Sequence, residues 1–325
     1  MTIMSAMSKS SPEERKVKTL DITVLAGGPG GERDVSLQSG AGVAAALRKL
    51  GHRVTVSDID AGNLSALDRH ADFVFIALHG EFGEDGALQE ELERRGVPFN
   101  GSGAAASRMA MNKVLTKRVA QSHGIPTPAF AVVKENDVEC AVREVGVPAM
   151  VKPAASGSSV DTSLVRTAET LRHAAGAVAA KYGEALVEQY ITGRELTVGV
   201  LGDQALPPCE IRTKREFYNY AAKYIDNDTQ YLFDIDLPAD LLARVQALSL
   251  QAHAAIGCAV ISRVDWMIDA KTMEPYLLEI NTLPGFTSHS LVPKSAARIG
   301  ISFEGLCQKI IELSLERHKT RLRSQ

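Results

Sequence analysis

Apolar positions along the chain recur in two rhythms, and the switches between them mark out its elements. Residues 20–26 (LDITVLA), 52–59 (HRVTVSDI) and 73–78 (FVFIAL) are short, β-branched and aromatic runs that predict strands. Between and after them, small and apolar residues return at helical spacing over 35–50 and 87–95. Strands alternating with helices predict a parallel sheet whose functional groups lie at the strands' carboxyl ends. Further on, strands over 129–133, 149–152 and 185–190 with helices over 137–145 and 168–182 predict an α+β unit. A long helix over 239–256, strands over 263–269 and 276–280, and a closing helix over 302–322 complete the pattern. The run NGSGAAA at 100–106 reads as a small, flexible junction, and there is no internal repeat.

Two strands break the apolar rule. Asp265 lies inside VISRVDWMID and Glu279 inside YLLEI, with Asn281 one strand period after Glu279 and Arg263 one before Asp265. Isolated carboxylates are costly in apolar strands, so Asp265, Glu279 and Asn281 read as oxygen ligands converging on hard cations. Mg²⁺ that also holds nucleotide phosphates suits this set; the alternative is exposed acids on an edge strand, with Arg263 merely neutralising Asp265. Lys113 and Lys152 are candidate phosphate contacts, Lys152 ending a strand just before the glycine- and serine-rich loop PAASGSSVDTS, which reads as a flap over phosphates. Residues 188–191, with Glu195 beyond, read as an adenine and ribose slot. His79 follows the third strand and precedes GEFGEDG; it is either a site residue or a turn cap. The polar, aromatic stretch 210–230 is too long for an ordinary connection and predicts a lid.

The glycine turn GGPGGERDVSLQSG places backbone N–H groups at a helix start, a natural anion site. Counted from Gly28, the dinucleotide fingerprint fails at Arg33, and no GxxxxGK[ST] occurs, so Rossmann and Walker nucleotide sites are disfavoured. At 325 residues the chain exceeds one typical core, which predicts two or three domains. A net charge of −3, with no dense basic stripe before the last helix, disfavours nucleic acid as a partner. The four cysteines, Cys140, Cys209, Cys258 and Cys307, are scattered, which argues against zinc, redox pairs and disulfides and for a reducing compartment. Residues 1–17 are polar and read as a disordered leader on a cytoplasmic protein, with no signal peptide and no membrane-spanning run.

Taken together and in order, GGERDVSLQSG, ALHGEFGEDG, VKPAASGSSV, AAKY, SRVDWM and LLEINTLPGFTSHSLVP make the chain, from about residue 20 to its end, resemble the D-alanine–D-alanine ligases of the ATP-grasp superfamily. The resemblance implies an ATP-grasp fold: an N-terminal α/β substrate domain (18–101), a central domain (102–192) and a C-terminal domain (193–325) with the lid at 210–230, ATP lying between the last two. It implies that Glu32 holds the first D-alanine's ammonium, with Ser158 and Tyr224 as hydrogen-bonded companions, and that His79 lies near that substrate's carboxylate. Lys113, Lys152, Glu188, Glu195 and Lys223 match the ATP-binding positions. Asp265, Glu279 and Asn281 match the ligands of two Mg²⁺ ions, for which Mn²⁺ is a substitute. Arg263 and the Gly285 backbone match the oxyanion site, and Ser290 with Leu291 the seat of the second substrate's carboxylate.

The implied reaction is ATP-dependent formation of D-alanyl-D-alanine through D-alanyl phosphate, for peptidoglycan precursors, by a homodimer. The alternative is another carboxylate–amine or a D-alanine–D-lactate ligase, and Tyr224 favours an amine nucleophile. A non-catalytic nucleotide sensor is disfavoured by the intact Arg263, Asp265, Glu279 and Asn281. The sequence departs from the family pattern at Asn112 (often aspartate), Ala155 and Ser156 (often bulkier or charged), Asp161 (usually glycine) and Asn219 (usually aspartate). These departures bear on the flap and on ATP affinity rather than on the chemistry.

Overall fold

A computed structural model describes residues 18–134, 137–157, 160–215, 228–287 and 290–323. Strands β1 (Asp21–Leu25), β2 (Arg53–Ser57) and β3 (Phe73–Ile76) form a parallel sheet in the order β2-β1-β3, as the alternating pattern predicts. The Arg33–Lys49 helix closes on β1 because Gly40 has no side chain: a Cβ there would lie 2.3 Å from the Ala26 Cβ.

The second sheet is antiparallel, with β4 (Phe130–Lys134), β5 (Ala149–Pro153), β6 (Ser163–Val165) and β7 (Glu184–Gln189) in the order β4-β7-β5-β6. The Val138–Glu144 and Ala168–Tyr182 helices cover one face, burying Leu171 and Ala175 against Val133, Val151 and Val187. The third sheet is also antiparallel and holds β8 (Gly193–Leu201), β9 (Gln204–Ala205), β10 (Cys209–Arg212), β11 (Gln230–Leu232), β12 (Ile261–Asp269) and β13 (Pro275–Asn281). Its order is β11-β10-β8-β12-β13, with β9 on the end of β8. Trp266 is fully buried against the Ala239–Ile256 helix, and its indole N–H donates to Ser249 Oγ at 2.9 Å, so the large ring leaves no polar atom stranded.

Three expectations change. The 100–106 run is not loose: Asn100 and Ser102 are buried, and the Asn100 carboxamide accepts from the Ile76 N–H at 2.6 Å and donates to the Ile76 carbonyl at 3.1 Å. Its residues are small because packing is close; a Cβ on Gly101 would stand 2.7 Å from Leu283 Cδ2. The 210–230 stretch does not begin as a loop: Glu210 is a buried member of β10, gripped by Arg194 at 2.6 Å and Arg212 at 3.0 Å. The Ala104–Met111 and Lys113–Ser122 helices put Ala110 and Ala120 into the core of the third sheet, although they precede the second in sequence.

The last two helices, Leu291–Arg298 and Phe303–Arg323, return to the first sheet, where Phe286 meets Phe75 edge-on at 5.5 Å. First and third units thus share one core. The four cysteines are free thiols. Among the described residues no helix is long and apolar enough to cross a membrane.

Candidate active site

The site is organised by the pairing of β12 with β13. Their register sets Arg263 opposite Asn281 and Asp265 opposite Glu279, so strand alternation brings all four side chains to one face. A bulge immediately after Asp265 shifts the register. Asp265 is 6% exposed and fully engaged: Thr197 Oγ1, from β8, donates to Oδ1 at 2.6 Å, while Arg263 donates from Nε at 2.9 Å and from Nη2 to Oδ2 at 2.8 Å. The neutralising pair that the sequence offered as an alternative therefore exists, alongside a further Arg263 interaction. Glu279 faces Lys113 Nζ at 3.3 Å, and Asn281 Oδ1 accepts from the Leu283 N–H at 2.8 Å. Among the described residues no three His, Cys, Asp or Glu side chains gather into a metal group, since the third donor here is a carboxamide. Two carboxylates and one carboxamide are all-oxygen donors and fit a hard divalent cation.

On one side of this quartet a cavity of about 100 Å³ lies between the second and third sheets, walled by Tyr190, Ile191, Met267 and Leu278 and bearing Lys113, Lys152, Glu188 and Glu195. Lys113 reaches the flap, donating from Nζ to the Ser156 carbonyl at 2.6 Å. The Asn112 carboxamide accepts from the Leu115 N–H at 3.0 Å, so the helix that carries Lys113 is capped without the family's aspartate. Glu188 is buried, and each of its oxygens faces an ammonium: Lys152 pairs with Oε1, and Lys117 lies 2.8 Å from Oε2, an ion pair outside hydrogen-bond geometry. Burial pushes the Glu188 pKa up, but the Lys117 and Lys152 ammonium groups outweigh it and hold the carboxyl below its ordinary range. Asp161 adopts a left-handed backbone (φ 50°), which accounts for the family's glycine there; its carboxylate accepts from Lys181 Nζ at 2.6 Å and Tyr182 OH at 2.5 Å.

On the other side a cavity of about 800 Å³ shares Lys113, Ser156, Asp265 and Glu279 with the first. It is lined by Glu32, His79, Gly285, Ser290 and Leu291 and also by Arg263 and Asn281. Glu32 precedes the Arg33–Lys49 helix, and its carboxylate hangs between the turn after β3 and the flap: Cβ atoms on Gly80 and Gly157 would stand 2.9 and 3.8 Å from Oε2. His79 Nε2 lies 3.2 Å from Ser39 Oγ, and Nδ1 3.4 Å from Glu84 Oε1, which orients the ring toward the cavity floor. Burial raises the pKa of Glu84, with His79 opposing it. Gly285 keeps the floor open, since a Cβ there would press to 2.9 Å from Ser290 Oγ. Ser290 Oγ accepts from the Thr287 N–H at 2.9 Å where the Leu291–Arg298 helix begins.

Every described residue given a catalytic, binding or metal role in the sequence thus lies on one of two adjoining cavities. Ser158, Asn219, Lys223 and Tyr224 lie outside the described residues. Sequence reasoning missed Lys117, Thr197, Glu84 and Lys294, the last on the wall of the larger cavity. Lys117 follows Lys113 by one helical turn and Glu84 sits inside GEFGEDG, the only signals that pointed to either.

The family model for the D-ala D-ala ligase C-terminus matches residues 119–312, and that for the D-ala D-ala ligase N-terminus matches residues 60–102. The chain belongs to the D-alanine–D-alanine ligase family. It is 46% identical over 301 residues to a D-alanine–D-alanine ligase of Herminiimonas arsenicoxydans, covering 89% of this chain and 90% of that one. With the ligase of Janthinobacterium sp. (strain Marseille) it is 45% identical over 304 residues, 90% and 95% of the two chains. Among solved structures, a Bacillus anthracis D-alanine–D-alanine ligase complexed with ATP superposes with a TM-score of 0.81 at 33% identity, over 93% of this chain and 100% of that one. The VanG D-Ala:D-Ser ligase of Enterococcus faecalis gives a TM-score of 0.81 at 27% identity, over 91% and 100%. The ATP-grasp architecture is thus the family's.

Proposed function

We propose that this chain ligates two D-alanines into D-alanyl-D-alanine, consuming ATP and releasing ADP and phosphate by way of D-alanyl phosphate, to supply peptidoglycan precursors. The observation that carries the reading is the register Arg263/Asn281 and Asp265/Glu279, a polar quartet at the wall between a narrow slot bearing Lys113, Lys152, Glu188 and Glu195 and a roomier polar cavity. Asp265, Glu279 and Asn281 would hold Mg²⁺, which would supply positive charge to the phosphate oxygens. Lys113 and Lys152 hold the phosphates from the opposite wall, with Lys223 from the lid, while Glu195 and the residues after Glu188 hold the nucleoside.

Glu32 takes the first D-alanine's ammonium and His79 lies by its carboxylate, an oxygen of which attacks the γ-phosphorus as ADP leaves. The second D-alanine, as free amine, attacks the acyl carbon. Arg263 and the Gly285 N–H meet the developing oxyanion, and phosphate departs with the former carboxylate oxygen. Ser290 and the first N–H groups of the Leu291–Arg298 helix seat the second carboxylate. Ser158 and Tyr224 close the lid with Glu32, excluding water that would hydrolyse the acyl phosphate.

The D-Ala:D-Ser neighbour makes the acceptor the point to test. Phosphate release measured across D- and L-amino acids and D-lactate should respond to D-alanine, with dipeptide as product; ester with D-lactate alone would overturn the reading. We further propose a homodimer in the cytoplasm, which light scattering of the purified chain checks for its oligomeric part.

A further inference from the structure

Lys117 is 0% exposed, and its ammonium makes polar contacts on two sides. One is Glu188 Oε2 at 2.8 Å; the other is Thr127 Oγ1 at 2.6 Å, whose hydroxyl donates in turn to the Leu277 carbonyl of β13 at 2.9 Å. The Phe130 ring lies 5.7 Å from the same nitrogen. A path of polar contacts therefore runs from β13, two residues before Glu279, through Thr127 and Lys117 to Glu188 on β7 and on to Lys152 on β5. It crosses the floor between the two sheets that enclose the nucleotide slot.

The charge count is as informative as the geometry. Glu188 and Lys152 alone would form a neutral pair, and a neutral pair does little for a polyphosphate. Burial pushes the Lys117 pKa down and the Glu188 carboxylate opposes that shift; as an ammonium, Lys117 adds a second cation to the one carboxylate and gives the buried group one net positive charge. Lys117 is sealed and Glu188 is 3% exposed, whereas Lys152 is 13% exposed and lines the cavity, so the surplus charge opens toward the nucleotide. Few solvent dipoles screen a charge so placed.

We infer that Lys117 is a positioning residue for the nucleotide: by occupying one oxygen of Glu188 it leaves Lys152 a net cation aimed at the phosphates, and it ties β7 to β13 across the cleft. This rests on the nucleotide reading of that slot. The test is titration calorimetry of ADP and ATP with Mg²⁺ on wild type, Lys117→Met and Lys117→Met/Glu188→Gln, with melting curves of each. Lys117→Met should bind ATP roughly tenfold more weakly. The double variant removes one charge of each sign and restores the net cation; it should bind ATP about threefold more tightly than Lys117→Met, yet short of wild type because Glu188 itself lines the slot.

Wild-type affinity in Lys117→Met overturns the inference, and so does a double variant no better than the single, which is the behaviour of a merely structural lysine. A wild-type chain that binds neither nucleotide overturns the nucleotide reading instead. If Lys117→Met does not fold, Thr127→Val, which removes an anchor of Lys117 and no charge, should raise KM for ATP about threefold with kcat unchanged; an unchanged KM overturns the inference.

Discussion

The end of the site that we propose for the nucleotide and the end that we propose for the amino acids are built from different material. At the nucleotide end the charges stand on strands and on one helix, and are paired in advance: Lys152 and Glu188 on β5 and β7, Lys117 beneath them, and Asp265 held by Thr197 and Arg263. At the amino-acid end they stand on loops and at the starts of helices: Glu32 before the Arg33–Lys49 helix, His79 after β3, and Ser290 before the Leu291–Arg298 helix. Charges on a packed sheet keep their geometry without a ligand, which suits a phosphate chain common to every turnover. Groups on loops can be altered without disturbing a core, which suits a choice between small substrates.

The two ends should therefore respond differently to substitution. The largest effect belongs between them: Arg263→Ala should lower kcat by roughly 10² to 10³ while ATP binding by calorimetry stays within a few fold. A loss confined to ATP affinity would place Arg263 at the nucleotide end and remove the division.

Acid should act on the scaffold beneath both ends. His253 is buried on the Ala239–Ile256 helix with Nδ1 2.7 Å from Ser262 Oγ, next to Arg263, and burial pushes its pKa down from 6.5 to about 4. A depressed histidine pKa favours the neutral form in the fold. Its contribution to stability is full above pH 6.5 and is lost as pH falls toward 4, up to about 3 kcal/mol. Denaturant melts of wild type and His253→Gln across that window should show the wild type losing more stability on acidification; parallel losses would contradict it.

A smaller effect is expected at Glu32. Glu32→Gln should raise KM for D-alanine roughly tenfold and leave ATP binding unchanged, sharpening the separation; equal weakening of both ligands would blur it. The smallest is at Asp161, which ties the flap to the end of the Ala168–Tyr182 helix through Lys181 and Tyr182. Asp161→Gly should change KM for ATP about two- to threefold and kcat less, because the pairs are exposed and screened. A change mainly in kcat would remove the flap from the nucleotide end.

The same division governs what could be read from the sequence. Residues on strands were legible, because period-two alternation assigns each side chain a face; Arg263, Asp265, Glu279 and Asn281 follow from it directly. Glu32 and Ser290 obey no such period, and only the family motifs around them marked them out; the place of His79 after the third strand left it either a site residue or a turn cap. Lys117 was illegible for a third reason. Its place on a helix looks like an ordinary solvated lysine, and only the tertiary fold shows it sealed against Glu188. Small residues at 100–106 suggested looseness where the fold uses them for close approach, and Glu210 suggested a loop where two arginines bury it.

The central claim is that the carboxylate of one D-alanine is phosphorylated in the first half of the reaction and attacked by the amine of another in the second. Incubating the protein with ATP, Mg²⁺ and D-alanine labelled with ¹⁸O in its carboxylate tests it most directly. The account predicts D-alanyl-D-alanine with one ¹⁸O transferred to each phosphate released. Dipeptide formed with unlabelled phosphate, or ADP release without dipeptide, would contradict it.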